Sequence, residues 1–180
     1  MTLKEATADL HREAESLPLI RSIFEGRVNK QSYADYLYQL HLIYVTIEDI
    51  ADELGVLRGI EAIKRSYLVR QDIAELLGYN KSNQFIRKPT MEYHDYLKSI
   101  HNDPDKILAH MYVRHMGDMY GGQMLKKVTP GAGNMYDFDD LDTLKIEFRR
   151  KLTDDMGDEA RVAFQHNINI IKEYDDLGSG

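Results

Sequence analysis

Cysteine is absent from the 180-residue sequence. Its absence excludes disulfides, Cys-ligated zinc, iron–sulfur clusters, thiolate-ligated heme and covalent C-x-x-C-H heme attachment. It agrees with a soluble protein of a reducing cytoplasm. Proline is scarce, at Pro18, Pro89, Pro104 and Pro130 only, which leaves long stretches able to remain helical. Basic residues are in deficit, with 23 Lys and Arg against 30 Asp and Glu and a net charge of −7. That balance lacks the surface needed to neutralise phosphates, so nucleic acid is not an expected partner. No apolar run approaches the roughly 20 residues of a membrane span. The residues after Met1 do not form a signal-peptide pattern, and Tyr174 to Gly180 is polar without an anchor. No membrane partner is expected. The length suits one domain with a sizeable core, expected over residues 1–176 with a flexible tail at 177–180.

Sustained two-residue alternation of β-branched residues is also missing, which disfavours strands. The pattern predicts seven helices. The first covers about 2–16, with Thr2 and Glu5 spaced as a capping box and a stripe at Leu3, Ala6/Thr7, Leu10 and Ala14. The second covers about 29–54, the third about 59–77 to Gly78, and a polar loop follows from Asn80 to Pro89. A fourth covers about 90–101. Asp103-Pro104 opens the fifth, to about 127, in the cap-then-proline pattern. The sixth and seventh cover about 138–155 and 158–174. The reading is a single all-α, multi-helix domain without repeats or linkers.

The fifth helix carries the unusual composition. Gly117, Gly121 and Gly122 interrupt an otherwise helical pattern, each at about 0.8–1 kcal/mol relative to Ala. The sum is large beside a net stability of roughly 5–15 kcal/mol. Gly117 and Gly121 are four apart and share a face without side chains, which a flat group can approach. A helix break at Gly121 explains the glycines equally well, and spacing alone leaves both open. Met111, Met116, Met119 and Met124 crowd the same segment, and Asp118 lies between the glycines. For each Met, core packing is the plainer reading. His11 borders the apolar stripe of the first helix with Glu15 one turn on; a structural histidine is the commoner case, an inward-pointing ligand the sharper one. Lys145, Arg149, Arg150 and Lys151 cluster on the sixth helix. Lys145 and Arg149 project together, suited to carboxylates, although a solvated face paired with Glu147 and Asp155 is the usual outcome. No P-loop, nucleophile elbow, His-x-x-x-His metal motif or Glu-x-x-His di-iron pairing is present.

Two segments then resemble heme oxygenase: Leu3 to Glu15 (LKEATADLHREAE), and Arg114 to Lys127 (RHMGDMYGGQMLKK), which contains the family's G-D-x-x-G-G-Q pattern. Weaker matches at Leu144–Arg149 and Ala163–Asn167 follow in order, so the resemblance spans nearly the whole chain. It implies a bundle with heme b sandwiched between proximal and distal helices. His11 matches the axial iron ligand. Gly117 and Gly121 match the distal glycines over the heme face, with Gly122 completing a kink, and Asp118 matches the carboxylate that holds distal water. Lys4, Tyr112, Lys145 and Arg149 match positions that meet the propionates, and Phe164 and Asn167 match pocket positions. The chain departs from the pattern at Tyr120, where the family usually has Ser, and in a short loop from Thr129 to Asp137.

The activity implied is cleavage of heme, as substrate and cofactor at once, by O2 and external electrons to biliverdin, CO and ferrous iron. A neutral His ligand leaves one axial position open for oxygen. No flavin or nicotinamide fingerprint is present, so ferredoxin or a reductase is the expected donor, with Arg149 to Lys151 available for docking. A bilin reductase is the downstream partner implied. A non-catalytic heme carrier or sensor is the alternative, weighed against by Asp118 and the three glycines. A thiaminase-like enzyme is disfavoured because that family usually works through a cysteine.

Overall fold

The capping box expected at Thr2 forms in both directions. Thr2 Oγ1 accepts from the Glu5 N–H at 3.2 Å and Glu5 Oε2 accepts from the Thr2 N–H at 3.0 Å, starting α1 (Leu3–Ser16). The computed structural model describes residues 1–78 and 84–178. Its helices continue with α2 (Pro18–Phe24), α3 (Lys30–Glu53), α4 (Ser66–Leu77), α5 (Lys88–Ser99), α6 (Pro104–Val128), α7 (Leu141–Arg149), α8 (Gly157–Lys172) and a final turn, α9 (Asp175–Gly178). Among the described residues there is no strand.

The two longest helices carry the core. In α3 the stripe Leu37, Leu40, Ile43, Tyr44, Ile47, Ile50 and Ala51 is buried throughout. Each buried aliphatic side chain of this kind contributes roughly 1.5–3 kcal/mol relative to exposure. Asn29 caps α3 by accepting the Ser32 N–H at 2.7 Å, and Asp103 caps α6 by accepting the Lys106 N–H at 3.1 Å. Helix α8 packs on both α1 and α6, whereas α1 and α6 scarcely touch each other. Helix α8 therefore links those two helices.

The fold departs from the seven expected helices in several places. Leu17-Pro18 is a helix-to-helix junction: Leu17 is extended (φ −71°, ψ 145°) and Pro18 opens α2, as the restriction on residues before proline requires. The helix expected over 59–77 is divided, with a 3-10 turn at Glu61–Ile63 before α4. Glu48 of α3 accepts the Arg65 and Ser66 N–H groups at 2.7 and 3.1 Å and fixes where α4 begins. Helix α5 starts at Lys88 and takes Pro89 into its first turn, so the loop ends earlier than expected; its residues 80–83 lie outside the described residues, as do 179 and 180 of the expected tail. The helix expected over 138–155 contracts to α7, because Asp140 adopts a left-handed φ of 49° and a 3-10 turn at Asp154–Met156 follows. Helix α6, by contrast, keeps its expected extent and runs unbroken through Gly117, Gly121 and Gly122, which removes the alternative of a break at Gly121.

Candidate functional site

Helix α6 places Asp118 inside the bundle, where its side chain is 3% exposed. It accepts a hydrogen bond from the Tyr44 hydroxyl of α3. Arg114, one turn back on α6, lies 3.7 Å from the same carboxylate. Arg114 also donates to the Tyr44 hydroxyl and to Asn167 Oδ1 of α8, both at 3.1 Å, and Asn167 donates to the Ala163 carbonyl at 2.8 Å. Burial pushes the Asp118 carboxyl above its ordinary value, against the downward pull of Arg114 and Tyr44. Burial also pushes the Tyr44 phenol well up, which keeps it a donor. Three helices thus hold one carboxylate in a fixed orientation, with acceptor capacity to spare for water.

The three glycines divide into two kinds. A Cβ at Gly117 would meet nothing within 4 Å, and one at Gly121 would meet only Leu125 of its own helix at 3.9 Å. These two leave bare, open backbone beside Asp118. Gly122 is different: a Cβ there would stand 2.9 Å from Tyr136 Cδ1, so this glycine admits the close approach of the 3-10 turn Asn134–Tyr136 to α6. Three of the four clustered methionines, Met111, Met116 and Met119, are core residues, and Met124 is exposed.

His11 does not point into the core. Its side chain is 61% exposed, and Nε2 lies 3.2 Å from Glu15. The sequence stripe misled because His11 sits at the margin of the face that buries Thr7 and Leu10. The ring faces Phe164 of α8 at a centroid distance of 5.9 Å. From one helix, Phe164 therefore reaches α1 and Asn167 reaches α6.

Lys145 and Arg149 of α7 come together as expected. They converge on the ring of Tyr120, with Lys145 Nζ 4.4 Å and Arg149 Cζ 5.0 Å from its centroid. Neither forms an ion pair among the described residues; Glu147 pairs instead with Arg150 at 2.9 Å. Lys4 is exposed on α1 and Tyr112 half-buried on α6, and neither joins the polar network.

Sequence reasoning overlooked Tyr44 and Arg114 as site residues. Tyr44 was absorbed into the apolar stripe of α3. Arg114 stands four residues before Asp118, and that i,i+4 pairing was the available signal. Two buried histidine clusters were overlooked as well. His115 Nε2 donates to Glu48 at 2.8 Å. Burial raises the Glu48 carboxyl, but bonds from His115, Arg65 and Ser66 outweigh it and leave its pKa lowered. His110 Nδ1 accepts from the Tyr93 hydroxyl at 2.6 Å and Nε2 donates to Glu159 at 2.7 Å.

The chain is similar to heme oxygenases. The Heme oxygenase family model matches residues 1–173. The heme oxygenase of Porphyra purpurea is 30% identical, over 95% of this chain and 84% of its own. That of Rhodella violacea is 28% identical, over 96% and 85%. The solved heme oxygenase of Leptospira interrogans superposes with a TM-score of 0.82 at 27% identity, covering 96% of this chain and all (100%) of that one. The heme complex of heme oxygenase-1 from the cyanobacterium Synechocystis shares the fold with a TM-score of 0.85 at 23% identity, covering 98% and 92% of the two chains. No helix among the described residues is long and apolar enough to cross a membrane. With its sequence matched from residue 1 to 173 and its helices superposable on solved members, the chain belongs to the heme oxygenase family.

Proposed function

We propose that the chain binds one heme b between α1 and α6 and cleaves it oxidatively to biliverdin, CO and ferrous iron. O2 and electrons from a ferredoxin or a reductase are consumed, and a bilin reductase is the natural consumer of the product. The observation that carries this reading is the pairing of bare helix backbone at Gly117 and Gly121 with the buried, braced Asp118 between them. The residues present suit heme. Glu15 holds one nitrogen of an exposed imidazole on α1, leaving the other for iron. Lys4, Lys145 and Arg149 carry no ion pair among the described residues and would receive the propionates.

Bound heme supplies the O2-binding, redox-active iron. The chain supplies the rest. His11 would hold the macrocycle from the α1 side, and Glu15 would keep the imidazole oriented. Gly117 and Gly121 would let α6 approach the opposite face and leave little room for bulk water. Asp118, fixed by Tyr44 and Arg114, would hold water by hydrogen bonds and deliver protons from its carboxylate side without presenting a mobile acid. Lys145 and Arg149 would fix the in-plane orientation through the carboxylates, and with it the carbon at which the ring opens.

The test is a hemin titration followed by reductant under air, with pigment analysis by chromatography. A one-to-one complex that yields biliverdin is expected, and His11→Ala should abolish the complex's axial-histidine spectrum. Recovery of intact heme after many reducing equivalents would overturn catalysis and leave a carrier.

A further inference from the structure

Tyr120 is a large aromatic that the network around Asp118 does not use. It projects from α6 with 47% of its surface exposed. Its ring nevertheless carries two cations from α7, Lys145 Nζ at 4.4 Å and Arg149 Cζ at 5.0 Å. Two like charges this close repel, and each sits on a flexible stem that loses rotamer freedom when held. No carboxylate among the described residues pairs with either cation. The aromatic face is the compensating group.

A ring face attracts a cation through its quadrupole. It does so without consuming the N–H donors directed away from the ring. The ammonium keeps donors free, and the guanidinium keeps its in-plane fork free for a bidentate carboxylate. A carboxylate partner on the protein would instead compete with an incoming anion. The aromatic platform is therefore suited to holding a cation pair ready for a second, external anion.

We propose that Tyr120 is a positioning residue that pre-sets Lys145 and Arg149 for the two carboxylates of heme. The proposal rests on the heme-binding reading above. It assigns to the phenyl ring, and not to the hydroxyl, a share of propionate affinity and of control over in-plane orientation. The share is exerted through the two cations.

The platform exists before heme arrives, so it has a heme-free readout. In the NMR spectrum of the heme-free chain, Arg149 side-chain protons should be shifted upfield by the ring current and lose that shift in Tyr120→Ser. Absence of the upfield shift in the unsubstituted chain would overturn the proposal regardless of what heme does. The second measurement compares hemin with hemin dimethyl ester, which lacks the carboxylate charges. Tyr120→Ser is expected to weaken hemin binding about five- to tenfold, the low end of the cost of ordering two long side chains on binding, and to leave ester affinity unchanged. Tyr120→Phe should match the unsubstituted chain with both ligands. Equal loss for hemin and ester would mean that the ring touches the macrocycle, and would overturn the proposal, as would a Phe variant that behaves like Ser. If the unsubstituted chain binds neither ligand, the heme reading itself fails. If it binds hemin and Tyr120→Ser binds equally well, only the clamp fails.

Discussion

The Tyr44 hydroxyl of α3 donates to the Asp118 carboxylate of α6, and Arg114 braces both groups. The three side chains come from positions 44, 114 and 118, so one buried polar cluster ties the central helix to the helix with bare backbone. Tyr44→Phe removes the donor and leaves a buried acceptor short of a partner. That change is expected to cost about 1–3 kcal/mol in urea unfolding, with an unchanged m-value. A midpoint unchanged from the parent chain would show that water replaces the hydroxyl.

Asp118→Asn keeps an acceptor for Tyr44 but removes the charge and the proton-holding capacity. Hemin affinity is expected to stay within about threefold, since the polar partners of Asp118 are Tyr44 and Arg114 and not Lys145 or Arg149. The rate of biliverdin formation with a chemical reductant should fall at least about a hundredfold, the low end of general acid–base contributions. An unchanged rate would remove Asp118 from the proton-delivery role.

The glycines of α6 give opposite expectations from one helix. Gly117→Ala meets no atom within 4 Å, so the heme-free chain should gain up to about 1 kcal/mol from improved helix propensity. The same methyl group would occupy the face proposed for heme, and hemin affinity should drop. Gly122→Ala meets Tyr136 at 2.9 Å and should lose about 1–3 kcal/mol by overpacking. Paired unfolding curves and hemin titrations separate the two. Parallel behaviour of both variants would contradict the division.

The helices that organise the site were legible because their signals are local. The Thr2/Glu5 box, the Asp103-Pro104 start and the stripe of α3 are set by residues within a few positions of one another. What escaped depends on partners remote in sequence. The start of α4 is fixed by Glu48, seventeen positions before Arg65, and a periodicity argument carried the helix back to residue 59. The brevity of α7 follows from the backbone of Asp140, which no hydropathy pattern encodes. Lys145 and Arg149 were visible as a pair by their spacing of four. Their shared platform was not, because Tyr120 lies on another helix and on the far side of a loop. His11 was singled out by its motif, but its side chain is exposed instead of turned inward.

Three histidines, His41, His110 and His166, are pushed below the ordinary imidazole pKa, each chiefly by burial. Around His110 the facing groups are Tyr93, Tyr96, Glu159, His166 and Lys106, and Glu159 only partly offsets the burial. A histidine so lowered stays neutral in the folded chain while the unfolded chain takes up a proton below about pH 6.5. The folded state then binds fewer protons, so stability falls as pH drops through that value and levels off at the folded pKa. Glu48 and Glu159, both lowered, act further down: their stabilisation is present above the ordinary carboxylate value and is lost as pH falls through their folded values. Acid destabilisation should therefore show two limbs. His110→Gln removes one titrating group from the upper limb. Its slope should flatten by up to about 1.4 kcal/mol per pH unit, the contribution of one proton, even though the variant is less stable at pH 8. Urea unfolding of the heme-free chain from pH 8 to 5 measures this directly. An upper limb of unchanged slope in His110→Gln would mean that His110 titrates in the folded chain as it does in the unfolded one.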